Sequence, residues 1–75
     1  MRRKADLGIG MRAYIAVHQL FPGKSTAKIA KIIGCQKQTI AFWQQGETPS
    51  GIFLQQLCYL GADIDWILTG RSKKS

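Results

Sequence analysis

Acidic residues are few in this 75-residue chain: four Asp and Glu stand against eleven Lys and Arg, a net charge of +7. So basic a balance points to a polyanion as partner, either nucleic acid or an anionic membrane surface. Histidine and cysteine are nearly as scarce. One histidine and two cysteines, Cys35 and Cys58, cannot supply the four ligands of a tetrahedral zinc site. No metal and no cofactor is expected. Both cysteines fall in apolar helical patterns, so they read as buried, reduced thiols in a cytoplasmic setting. Long apolar runs are absent as well, and nothing approaches the ~20 residues of a membrane span. The basic start, Met1-Arg2-Arg3-Lys4, lacks the apolar stretch of a signal peptide, because Asp6, Arg12 and His18 interrupt the residues after it. The composition is 45% apolar and 20% charged, a globular balance. At this length it makes one domain with a small core and no room for a large cleft.

The charge is uneven along the chain. Residues 1–4 carry three positive charges and residues 71–74 three more, so the two ends supply six of the eleven. A basic arm over 1–4 and a basic tail over 71–75 therefore flank a domain over 5–70. Within it, residues 24–37 hold four lysines and no acid, whereas residues 47–65 hold three acids and no base. The basic stretch is local, as a docking face would be.

No segment alternates with period two, and apolar residues recur at steps of three and four, which predicts an all-α chain. A first helix carries Leu7, Met11, Tyr14, His18 and Phe21 as its apolar stripe, widened by Val17 and Leu20, and stops at Phe21-Pro22-Gly23. Ser25 or Thr26 caps a second helix with Ile29, Ala30 and Ile33 inside and Lys24, Lys28 and Lys31 outside. Gly34 ends it as a left-handed cap. In a third helix Gln36, Ile40 and Trp43 share one side and Gln38, Ala41, Phe42 and Gln45 the other, with Lys37 between them; Gly46 closes it. Pro49 suits the first turn of a fourth helix, which buries some of Ile52, Phe53, Leu54, Leu57, Cys58 and Leu60. Asp63 caps a short fifth helix that stops at Gly70. The tight turn at Gly34 makes the second and third helices a helix-turn-helix arrangement.

Residues 25–46, Ser-Thr-Ala-Lys-Ile-Ala-Lys-Ile-Ile-Gly-Cys-Gln-Lys-Gln-Thr-Ile-Ala-Phe-Trp-Gln-Gln-Gly, resemble the helix-turn-helix of the lambda-repressor/Cro-like DNA-binding family. The shared pattern is a polar cap, Ala30 at the helix crossing, Gly34 in the turn, Ile40 and Trp43 inside, and Gly46 at the close. The stretch Gly61-Ala62-Asp63-Ile64-Asp65-Trp66-Ile67-Leu68-Thr69-Gly70 is similar to the end of the DNA-binding domain in prophage repressors of that family. The resemblance spans residues 8–70 and implies a compact five-helix domain of the lambda-repressor type. It implies base readers at Lys37, Gln38 and Phe42, with Gln36 on a base or phosphate, and phosphate contacts at Ser25, Thr26, Gln45 and Thr48. Lys24 and Lys28 add to the phosphate neutralisation. A major groove about 12 Å wide admits one helix; there Gln pairs with adenine, Lys donates to guanine and an aromatic ring packs on a thymine methyl.

The chain departs from the family in three ways. Many members pair a buried Arg of the first helix with a Glu after the buried aromatic. Here that second position is Gln44 and the first-helix candidates are His18 and Gln19; a neutral His18–Gln44 hydrogen bond is the expected substitute, avoiding two buried charges. The loop Phe21-Pro22-Gly23-Lys24 is longer than usual, and Gln36 is a poor helix cap.

The expected function is sequence-specific binding of double-stranded DNA by a transcriptional regulator, a repressor of phage or prophage type. The expected assembly is a homodimer on a roughly palindromic site, pairing through an apolar surface around Phe53, Tyr59 and Trp66. The alternative is a protein-interaction module, an antitoxin or adaptor domain that keeps the fold and has only nonspecific DNA affinity. A membrane-surface role fits less well, since the lysine-bearing helix is needed for the core. An enzyme is not expected: His18 lies on the apolar stripe, and no spacing suggests a nucleophile with its base.

Overall fold

The computed structural model describes residues 8–71, and over them the chain folds into five α-helices without a strand. These are α1 (Gly8–Leu20), α2 (Thr26–Ile33), α3 (Lys37–Gln44), α4 (Gly51–Tyr59) and α5 (Ile64–Thr69). The basic arm over 1–4, Leu7 of the first-helix stripe and residues 72–75 of the tail lie outside the described residues. The helices gather around α1, which packs mainly on α3 and α5; α2 lies on α3, and α4 closes against α2 and α5. The radius of gyration is 12.0 Å, close to the ~11 Å of a compact chain this long.

Several helix boundaries have a local cause. Ser25 caps α2 by accepting the Lys28 amide on its Oγ at 3.2 Å. Gly34 ends α2 at φ +93°, a left-handed backbone that a side chain would strain, and its amide and that of Cys35 both return to the Ala30 carbonyl. Three residues, Gly34 to Gln36, then separate α2 from α3. Asp63 caps α5 through the Trp66 amide at 3.0 Å. Pro49 lies outside the first turn of α4: Ser50 is the N-cap and Gly51 the first helical residue, which leaves Pro49 buried just before the helix.

The core is assembled from Ala13, Ala16 and Val17 of α1, Ile29, Ala30 and Ile33 of α2, Ile40 and Trp43 of α3, Leu57 of α4 and Ile67 of α5. The buried face of α1 thus differs from the stripe of large residues. It runs through Gly10, Arg12, Ala13, Ala16 and Val17, turned by roughly a third of a revolution at about 100° per residue. Closeness of packing is the reason. A Cβ on Gly10 would fall onto the Glu47 carbonyl oxygen and within 2.8 Å of the Trp43 carbonyl oxygen, so α1 rests on the end of α3 only because residue 10 has no side chain. Tyr14, His18 and Phe21 are left half-buried at the margin.

Arg12 is 6% exposed, and its Nε donates to the Ile67 carbonyl at 2.8 Å while Nη2 reaches the Leu68 carbonyl at 3.5 Å. A helix ends in carbonyls without intrahelical partners and carries partial negative charge there. The guanidinium therefore satisfies the end of α5 and ties it to α1. Cys35 is half-buried in the turn and Cys58 is exposed on α4; both are free thiols. The expectation of two buried thiols holds for neither in full, because Cys35 has left the helix and Cys58 faces outward. Burial pushes the Cys35 thiol above its ordinary pKa.

Candidate nucleic-acid interface

Helix α3 divides into two faces. Ile40 and Trp43 are buried, and the Trp43 ring meets the edge of Phe53 with centroids 5.9 Å apart. On the outer face Lys37, Gln38 and Gln45 are exposed and Phe42 keeps 44% of its surface in solvent. Eight residues make the helix about 12 Å long. Its outer face presents an ammonium donor at Lys37, amides at Gln38 and Gln45 that donate and accept, and one bare aromatic ring. Gln36 differs from its expected place beside Ile40 and Trp43. It is the N-cap, with extended backbone at φ −89° and ψ 151°, so helical spacing does not govern it, and it is exposed. Its side chain makes no cap hydrogen bond, consistent with a poor capping residue.

The start of α2 brings Lys24, Ser25, Thr26 and Lys28 together. Lys24, Ser25 and Lys28 are exposed and Thr26 is half-buried. Lys28 and Lys31 stand about 60° apart around the helix, so the exposed ammonium groups share one broad side. Beyond α3, Thr48 lines a notch of about 130 Å³ together with Thr39, Phe42, Trp43, Glu47, Ser50 and Phe53. Phe42 and Thr48 thus flank the same depression, whereas Gln45 stands apart on the closing turn.

The expected His18–Gln44 bond does not form. Gln44 is exposed, and His18 instead bridges α1 and α2: its Nδ1 lies 3.0 Å from the Tyr14 carbonyl oxygen and its Nε2 3.3 Å from Thr26 Oγ1. The Tyr14 ring packs beside the imidazole, centroids 4.5 Å apart. The buried first-helix arginine is Arg12, which α5 engages. Local spacing hides this, because its partners are 55 and 56 residues away in sequence.

The three residues of the expected pairing surface are placed differently from one another. Tyr59 is 77% exposed, while Phe53 and Trp66 are half-buried. Ile52, a core candidate by its helical spacing, is 73% exposed and lies about two turns before Tyr59 on the outer side of α4. Gln55 lies between them and donates from Nε2 to the Tyr59 hydroxyl at 3.3 Å. No helix among the described residues is long and apolar enough to cross a membrane. No family model matches the chain, and neither a curated protein nor a solved structure matches it.

Proposed function

We propose that this domain binds duplex DNA sequence-specifically as a transcriptional regulator of the phage or prophage repressor type, with α2 and α3 acting as a helix-turn-helix of the lambda-repressor kind. The observation that carries the reading is α3, which presents Lys37, Gln38 and Phe42 together as exposed residues outside its buried Ile40 and Trp43. A large aromatic ring partly exposed on the polar outer face of a helix has a use if it packs on a thymine methyl while its neighbours read base edges. The start of α2 supports the same pose, since amides at a helix N-terminus and the adjoining Lys24 and Lys28 suit a phosphate. Pairing of two copies through the Ile52–Tyr59 side of α4 presents two reading helices to a roughly palindromic site.

A titration of the labelled protein with duplex DNA, followed by amide chemical shifts, tests this reading. Perturbations are expected at 24–28 and 36–42. Perturbation confined to the chain ends, with α3 silent, would overturn it and favour the interaction module with nonspecific DNA affinity.

A further inference from the structure

We infer that His18 is a positioning residue that couples DNA binding to pH by controlling the hydroxyl proton of Thr26. The inference rests on the duplex-binding proposal and adds to it the regulation of the same interface. A carbonyl oxygen only accepts, so the contact at 3.0 Å means that His18 Nδ1–H donates to Tyr14. In the neutral ring Nε2 is then the bare nitrogen, and the Thr26 hydroxyl must donate to it across 3.3 Å. The single proton of Thr26 is thereby turned toward α1. Only lone pairs remain for a phosphate oxygen, which is itself an acceptor.

Protonation reverses the second bond. Nε2–H now donates to Thr26 Oγ1, the hydroxyl proton swings free to meet an incoming phosphate, and the ring brings a positive charge to the start of α2. The bond to Tyr14 is unchanged. Without an anion that charge meets the positive end of α2, where it is unwelcome; with a phosphate seated there it is stabilised. The last turn of α1, which contains His18, tolerates it in both cases. The charged groups on the elements packed against α1 are Lys24, Lys28 and Lys31 around α2, Lys37 on α3, and Asp63 and Asp65 at the start of α5, with Arg12 on α1 itself. Among the described residues none of them bonds to the imidazole, whose partners are Tyr14 and Thr26.

Histidine changes charge between about pH 5 and pH 8. Affinity is expected to rise as pH falls across that range, because the complex then holds a proton that the free protein binds less tightly. The test measures binding to a short duplex at constant ionic strength across this range, for the natural chain and for His18→Gln. In parallel, nitrogen and proton shifts of the His18 ring are followed with and without the duplex. The expected results are an Nδ1–H tautomer in the free neutral ring, a titration displaced upward by the duplex, and a pH profile that flattens in His18→Gln. An Nε2–H tautomer, an unmoved titration, or an equal rise in His18→Gln overturns the inference while leaving the duplex proposal intact. A chain that binds no duplex at any pH overturns both.

Discussion

Gln38 sits on the outer face of α3, exposed and one position from Lys37, where an amide gains most from a base edge and least from the protein's own fold. Truncating it therefore separates recognition from stability. Gln38→Ala is expected to weaken binding to the preferred site by about 1–3 kcal/mol and to relax one base position. Thermal stability should be nearly unchanged. Equal losses on preferred and random duplexes, read by competition binding, would remove Gln38 from the reading set. The facing of Gln38, Ile40 and Trp43 was legible because α3 is a regular helix, so spacing alone separates its inner from its outer side. The surroundings of Arg12 and His18 were not. Those of Arg12 are made by α5, and His18 joins its local neighbour Tyr14 to Thr26 of α2; a side chain in a short window does not announce a carbonyl 55 residues away.

At the scale of the element, helix count, helix order and most termini followed from local chemistry. The Ser25 and Asp63 caps and the left-handed Gly34 are each decided within four residues. The facing of α1 was less legible, because hydrophobic spacing finds large residues whereas a close helix contact selects small ones. Gly10 offers a test of that distinction. In a free helix, Gly to Ala gains about 1 kcal/mol. Here the added methyl meets backbone carbonyls of Trp43 and Glu47, so Gly10→Ala is expected to destabilise by about 1–3 kcal/mol. For a domain this small each kcal/mol lowers the melting midpoint by about 4–8 °C. A raised midpoint would contradict the close approach of α1 to the end of α3. Helix α4 shows the opposite limit: its composition is largely apolar, yet only Leu57 is fully buried. Nothing in its own residues tells which side the core will take.

Across the whole molecule the net charge of +7 overstates what the folded domain shows a partner. Arg12 is inside, bonded to the end of α5, so the outward cations between the two ends are Lys24, Lys28, Lys31 and Lys37. These lie on or beside α2 and α3, while Asp63 and Asp65 lie at the start of α5; Glu47 follows α3 and shares the notch with Phe42 and Thr48. The domain is accordingly polar in its charge layout, with the lysines grouped around the helices proposed to meet DNA. Lys28→Ala should weaken binding to all duplexes alike and lower the salt slope by about 1, as the loss of one phosphate contact requires. A loss confined to one sequence would contradict a phosphate role.

The most direct measurement is selection of the intact chain against a random duplex library at about 150 mM salt, where nonspecific binding is weak. A DNA-reading domain that pairs through α4 is expected to enrich a roughly palindromic site with half-sites about one helical turn apart. Recovery of no preferred sequence, with binding that disappears as salt rises, would contradict it.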